Sequence, residues 1–227
     1  MPEIGEQGQE RLKETRILLA GLGGLGSVSA FYLAAAGIGK LRIVDKDKVE
    51  MANLNRQIIH WTDDIGRAKA DSAAEKLRRL NPECDIEAVS REVTEDNIDE
   101  LAEGCSLIMD GTDNLETRYI LNRGSIRLKL PFIFGGVDGF NGMTTTLVPG
   151  ETPCLECLFP KKPLKKRAPG IIGPVPGIVA CIQTIEAIKL ILGLDGSLKG
   201  RLLYIRTSDM RFKQIEVTRN PECTVCV

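Results

Sequence analysis

The sequence predicts an α/β fold: a mostly parallel sheet with helices on both faces, continued by antiparallel strands. Three observations predict it. Short, wholly apolar runs alternate with longer helical stretches, as buried parallel strands and their crossover helices do. A glycine loop, Gly21-Leu22-Gly23-Gly24-Leu25-Gly26, stands between the first of those runs and the first long helix. Beyond residue 136 the rhythm changes to a proline-rich stretch and strands that no longer alternate with helices.

Residues 8–13 read as the end of a short helix or a polar lead-in. Residues 15–20 are apolar enough for a buried parallel strand, and 27–36, rich in Ala and Leu, form a helix stopped by Gly37 and Gly39. A second strand at 40–45 completes a βαβ unit. Residues 66–80 form a charged helix ended by Asn81-Pro82. A strand at 85–90 precedes a helix at 94–101, opened by Thr94-Glu95-Asp96. The strand at 106–110 runs into Gly111-Thr112-Asp113-Asn114, and 115–130 is helical. A fifth strand at 131–134 ends in Gly135-Gly136. Residues 143–148 read as an edge or antiparallel strand, and 149–176 lack regular pattern. A helix at 177–192 and strands at 201–206 and 212–217 follow. The expected organisation is one domain, 1–227, with a nucleotide-binding half at 1–136 and a second half at 137–227, whose crossover loop spans 158–176.

Composition is ordinary for a soluble globular chain of 227 residues: 43% hydrophobic and 27% charged. A net charge of -1 gives no electrostatic reason to expect nucleic acid. The start, Met1-Pro2-Glu3-Ile4-Gly5-Glu6, has neither the basic opening nor the apolar core of a signal peptide. The apolar stretch 178–192 is short for a membrane span and carries Gln183, Glu186 and Lys189, so it reads as a core helix. The expected location is the cytoplasm. Seven cysteines there point to metal or thiol chemistry before disulfides, with Cys84, Cys105 and Cys181 isolated and the rest in two pairs.

The glycine loop lets backbone N–H groups approach a phosphate at a helix N-terminus, where the helix dipole also favours an anion. Gly21, Gly23 and Gly26 carry the spacing, and Gly24 adds openness. Asp45, at the end of the second strand, is placed to accept hydrogen bonds from ribose hydroxyls, and Asp47 is a further nucleotide-binding candidate. The same pattern fits a tight turn with close helix packing, and it does not choose between NAD, FAD and ATP. Asn53, Asn55, Arg56 and Gln57 then gather neutral donors and one cation, with Lys69 on the following helix as a second cation. Such a group suits a polyphosphate whose leaving pyrophosphate gathers charge; a polar loop with a helix cap is the plainer reading. Asp110, Asp113 and Asn114 stand at the C-terminal end of a parallel strand, where open α/β sheets bind ligands. Asp113 is the favoured ligand for Mg²⁺ on ATP phosphates, while Asp110 reads equally as a capping or loop acid.

Cys154 and Cys157 with Cys223 and Cys226 have the paired spacing of one closed, structural Zn²⁺ site, with a redox dithiol as the rival reading. After Cys157, Lys161, Lys162, Lys165, Lys166 and Arg167 are spaced by Pro160, Pro163 and Pro169. That segment reads as a solvated loop, or as a basic strap for an acidic protein partner. His60 and Trp61, each single, read as packing or capping groups.

Together these residues resemble the ThiF/MoeB/HesA family, the bacterial and archaeal branch of the ubiquitin-activating-enzyme superfamily. The resemblance covers nearly the whole chain. It runs through the glycine loop, Asn53-Leu54-Asn55-Arg56-Gln57, Gly66-Arg67-Ala68-Lys69, Gly111 to Asn114, and both cysteine pairs, including 220–226. It implies a Rossmann-like nucleotide half followed by a carrier-binding and zinc half, in a homodimer. It also implies a reaction: ATP adenylates the C-terminal glycine carboxylate of a ThiS/MoaD-like sulfur-carrier protein ending in Gly-Gly. Acyl-AMP and pyrophosphate form, and a separate donor supplies sulfur. By motif, Asp45 would hold the ribose, Asn53, Arg56, Gln57 and Lys69 would orient and neutralise the triphosphate, and Asp113 would bind Mg²⁺. Arg56, Lys69 and Asp113 would be the catalytic set. A carboxylate is already a nucleophile, so the protein needs only to align it and stabilise the leaving charge.

Two departures from the family pattern carry expectations. Relatives often bear a cysteine in the crossover loop, used for a thioester or persulfide step; residues 161–176 contain none, and Lys166 takes the usual place. Activation without an enzyme–carrier thioester is therefore expected, with Cys181 a packed helix residue. Relatives also open with an arginine-bearing segment, Arg-Tyr-Ser-Arg-Gln, whose arginine reaches the partner subunit's ATP. This sequence opens at Met1-Pro2 without it, so a substitute residue, weaker activity or an upstream start is expected. An NAD-dependent oxidoreductase would explain only the stretch from Gly21 to Asp45. A catalytically inactive scaffold for a ubiquitin-like protein would draw support from the absent arginine segment but leave Arg56, Lys69 and Asp113 without a task.

Overall fold

The computed structural model of the protein describes residues 1–160 and 170–226. One eight-stranded sheet runs through it in the order β3-β2-β1-β4-β5-β6-β7-β8. Strands β1 (Arg16–Ala20), β2 (Lys40–Val44), β3 (Asp85–Val89), β4 (Leu107–Asp110) and β5 (Phe132–Asp138) pair in parallel. Strands β6 (Asn141–Leu147), β7 (Arg201–Arg206) and β8 (Arg211–Glu216) extend the sheet antiparallel. This is the expected α/β class, parallel first and antiparallel after.

Side chains of a strand point alternately to its two faces, and β1 shows why both faces are covered. Ile17 and Leu19 enter a core shared with α1 (Gly5–Glu14), α2 (Gly24–Ala35), α3 (Lys69–Leu80) and α7 (Pro174–Leu192). Leu18 and Ala20 enter a second core with α4 (Ile98–Ala102), α5 (Leu115–Leu128) and α6 (Leu155–Leu158). Each fully buried leucine here contributes about 1.5–3 kcal/mol of burial. A third cluster of Leu25 and Val28 from α2, Val179 and Ala180 from α7, and Ile205 from β7 ties the parallel part to the antiparallel part.

Several element bounds differ from expectation for local reasons. α2 begins at Gly24 instead of residue 27, so the glycine loop feeds the helix directly. α3 begins at Lys69 instead of residue 66, because Gly66 takes φ +88 and ends a short antiparallel pairing between Lys48 and Ala68. β5 continues through Gly135 and Gly136 to Asp138, pairing along its length with β6. β6 lies between β5 and β7, an interior antiparallel strand and not an edge. α7 starts at Pro174, whose missing N–H costs nothing in a first turn. The four-residue α6 falls in the stretch that reads as patternless.

By length and composition α7 could cross a membrane. It packs instead against α2, β5 and β6 and buries Glu186. The Glu186 carboxylate accepts from Thr146 Oγ1 at 2.9 Å and from the Leu198 N–H at 2.5 Å, and pairs with Lys189 at 3.0 Å. It is a core helix.

Candidate functional site

The strand order reverses between β1 and β4, and a cleft of ≈ 890 Å³, counting space open to solvent, lies at their C-terminal ends. Ligand crevices in open α/β sheets form at such a point. Gly21 leaves β1 in the left-handed region, at φ +90. Gly26 passes so close to the loop that a Cβ there would stand 1.8 Å from the Gly21 carbonyl oxygen. No side chain fits, and the turn from strand to helix depends on it. α2 then starts with no side-chain cap and no acid in its first turn, while Gly23 and Gly24 line the cleft. Its unpaired N–H groups and positive dipole end make an anion-receptive wall.

Asp45 also lines the cleft. Its Oδ2 accepts the Leu22 N–H at 2.7 Å and its Oδ1 the Asp47 N–H at 2.8 Å. A carboxylate has about four acceptor positions, so two remain for hydroxyl donors. Burial raises the Asp45 pKa, opposed by the charge of Lys69. Lys69 is the first residue of α3 and lies on the cleft, almost wholly buried. Its Nζ is 3.3 Å from the exposed Asp47 carboxylate.

Arg56 and Gln57 enter the cleft from the turn after Met51–Asn53. The Arg56 guanidinium is braced by the Ala52 carbonyl at 3.0 Å and Asn55 Oδ1 at 2.9 Å. Gln57 is 4% exposed, and its buried Oε1 has no hydrogen-bond partner. An orphaned acceptor beside a phosphate-type loop marks a place where a ligand or water donor belongs.

Asp113 and Asn114 line the opposite side. Asp113 is exposed and its carboxylate accepts no hydrogen bond among the described residues, which suits a hydrated divalent cation. Asn114 caps α5, its side chain accepting from the Thr117 N–H at 2.9 Å. Asp110 is fully committed inside. It pairs with Arg118 at 2.9 Å and accepts from Thr112 N–H and Oγ1 and from the Gly135 N–H. Of the candidates in the glycine loop and the 53–57 cluster, Gly26, Asn53 and Asn55 do not line the cleft. Gly26 serves the turn, and Asn53 closes its own, with Oδ1 accepting the Glu50 N–H at 3.2 Å.

Sequence reasoning missed the walls. Arg91, Glu92 and Val93 line the cleft just beyond the C-terminal end of β3, a position the same switch-point rule would have flagged. Ile171 and Pro176 come over from the start of α7. Pro176 lies 3.0 Å from where a Gly24 Cβ would be, so that helix start covers the glycine loop.

The four paired cysteines form a separate centre. Sγ separations are 3.9 Å for Cys154–Cys157, 3.7 Å for Cys154–Cys223, 3.4 Å for Cys157–Cys226 and 3.7 Å for Cys223–Cys226. All four lie within 4.8 Å of one another. Tetrahedral metal–sulfur bonds of about 2.3 Å place sulfurs about 3.8 Å apart, so the set fits one ion with no open position. Burial pushes the Cys154 thiol far up. Burial also opposes ionisation of Cys223, yet the N–H groups of Val225 and Cys226, together with the Cys157 and Cys154 thiols, outweigh it and draw the thiol down to about 7. A bound cation would ionise the rest.

The basic run from Lys161 to Arg167 lies outside the described residues. Trp61 stacks over Lys76, 4.8 Å from ring centroid to Nζ, and His60 is buried. Both pack, as expected.

Fold and cleft together define the class: a Rossmann-like α/β protein with an anion-receptive, lysine- and arginine-bearing cleft and a four-cysteine metal-type centre. Residues 1–225 match the ThiF family, and the chain belongs to it. Among curated relatives, the SAMP-activating enzyme E1 of Haloferax volcanii is 43% identical over 231 residues, covering 100% of this chain and 85% of that protein. The sulfur carrier protein adenylyltransferase of Thermus thermophilus is 37% identical over 236 residues, covering 100% and 87%. Among solved structures, E. coli MccB with ATP is similar at a TM-score of 0.88 and 23% identity, covering 96% of this chain and 68% of that one. That likeness is one of fold.

Proposed function

We propose that the protein is an ATP-dependent adenylyltransferase that activates the C-terminal glycine carboxylate of a ubiquitin-like sulfur-carrier protein ending in Gly-Gly. One observation carries the reading. A single cleft gathers the uncapped start of α2, the cations Arg56 and Lys69, and two acids, Asp45 and Asp113, on different walls. An NAD-dependent oxidoreductase has no use for the last four together. The names of the Haloferax volcanii and Thermus thermophilus relatives, a SAMP-activating enzyme and a sulfur carrier protein adenylyltransferase, favour the same chemistry.

In this reading Asp45 accepts the ribose hydroxyls, and the α2 terminus with Arg56, Gln57 and Lys69 holds the polyphosphate. Mg²⁺, when bound at Asp113, supplies further neutralisation of phosphate charge. The carrier carboxylate attacks the α-phosphorus, a carboxylate–phosphorus bond forms, and the bond to pyrophosphate breaks. No proton moves, so no general base is needed. Arg56 and Lys69 stabilise charge growing on the departing pyrophosphate. Zn²⁺ is the ion assigned to the four cysteines, in a structural role. A homodimer and a separate sulfur donor belong to the same reading, as does transfer without an enzyme–carrier thioester.

The test is ATP–pyrophosphate exchange with Mg²⁺ and each Gly-Gly-ending carrier protein of the same organism. Exchange with one carrier is expected. No exchange with any carrier, from folded protein that binds ATP, overturns the proposal in favour of a scaffold.

A further inference from the structure

The glycine loop is held from beneath by a buried chain of polar groups that nucleotide chemistry itself does not use. Leu22, at the loop's centre, is wholly buried. Its N–H goes to Asp45, and its carbonyl accepts from His60 Nε2 at 3.1 Å and from Ser27 Oγ at 3.2 Å. A carbonyl can only accept, so Nε2 of His60 carries the proton. The neutral ring then accepts at Nδ1 from the Ser72 hydroxyl, 2.9 Å away. Ser72 Oγ in turn accepts from Lys76 Nζ at 3.1 Å, and Lys76 donates to Asp64 Oδ2 at 2.6 Å and to the Ser72 carbonyl at 3.1 Å. Asp64 also accepts the Trp61 N–H at 2.7 Å and Arg67 Nη1 at 2.9 Å.

Ser27, His60, Asp64, Ser72 and Lys76 are all buried, and only Trp61 and Arg67, at the far end beside Asp64, are exposed. Ser72 and Lys76 lie on α3, the helix whose first residue is Lys69. Two elements far apart in sequence, the loop at 21–26 and the helix bearing Lys69, are thus joined through one imidazole.

We infer that His60 is a positioning residue for the nucleotide cleft, fixing the Leu22 carbonyl, and with it the glycine loop and Asp45, in register with the Lys69 helix. The inference rests on the adenylyltransferase reading above. Burial pushes the His60 pKa down to about 4, which keeps the ring neutral and Nδ1 an acceptor near neutral pH. Contacts of the loop to phosphate and ribose are made before and during reaction alike. Loosening it should therefore raise KM for ATP while changing kcat much less.

Carrier-dependent exchange is measured against ATP concentration for the wild type, His60→Phe, His60→Gln and Ser72→Ala, well below each melting temperature. Ser27 still serves the carbonyl, so His60→Phe should raise KM for ATP by about three- to tenfold, the scale of one hydrogen bond. His60→Gln, whose amide N–H can reach the Leu22 carbonyl, should recover most of that. An unchanged KM in folded His60→Phe, even with a lower melting temperature, overturns the inference and leaves the adenylyltransferase reading standing. Absence of exchange in the wild type overturns that reading and the inference with it. If His60→Phe does not fold, Ser72→Ala decides: a raised KM supports the chain, and an unchanged one overturns it.

Discussion

Gly173 lies against the backbone of Asn55, so closely that a Cβ at 173 would stand 2.3 Å from the Asn55 carbonyl oxygen. The return from the crossover is therefore seated on the same turn that aims Arg56 and Gln57. A closure formed by one segment is positioned by another more than half the chain away.

Gly173→Ala tests that seat. Gly173 has φ -49, comfortable for alanine, so the effect is purely one of space. Overpacking of this kind costs about 1–3 kcal/mol. A lower melting temperature and weaker ATP binding are expected, measured by thermal unfolding and nucleotide titration.

Lys69→Met removes the cation and keeps the shape. Its ion-pair partner Asp47 is exposed, and Asp45, which also loses the countercharge, keeps the Leu22 and Asp47 N–H groups. Folding should survive, and the rate of pyrophosphate exchange at saturating ATP should fall by ~10²–10³, the scale for one preorganised electrostatic contact. Stopped-time exchange assays read it directly.

Cys226→Ser should lower metal content and melting temperature together. Structural four-sulfur sites couple metal binding to folding. None of the four cysteines lines the cleft, so ATP affinity of the folded fraction should change little. Elemental analysis beside a melting curve checks it.

Acid should destabilise the fold through His60. Its pKa falls from 6.5 to about 4 on folding, through burial first and then the charges of Lys69 and Lys76, against the Leu22 carbonyl and Asp64. The unfolded chain binds the proton more readily. Stability is thus full above pH 6.5 and declines as pH drops towards 4. Urea unfolding across that range should show a shallower decline for His60→Phe than for the wild type.

Cys181→Ser should retain exchange, and non-reducing gels of the loaded wild type should show no thiol-sensitive conjugate. Cys181 is half-buried in α7 beside Val179 and Ala180, and burial raises its thiol pKa. A thiolate nucleophile needs the opposite environment.

Much of the fold was legible because its signals are local. The apolar run ending at Ala20, the glycine loop and the Asp45 strand end each depend on residues a few positions apart. The extension of β5 through Gly135 and Gly136 was hidden, since glycines weaken a strand signal and only pairing with β6 restores it. α6 is a single turn, below what periodicity can register. At the site, Asp110 and Asp113 look alike in sequence. They differ because Arg118, one side of α5 later, turns inward to claim Asp110. Arg91 to Val93 and Pro176 were missed because only the assembled sheet brings them to the cleft.

The four-cysteine cluster also imposes an order of events during synthesis. Cys154 and Cys157 leave the ribosome with half a coordination shell, and their counterparts follow 69 positions later. At about 5–20 residues per second, seconds pass in which α7, β7 and β8 emerge and the shell is incomplete. A metal ion can lock the tail only onto a sheet whose last strands have already been made.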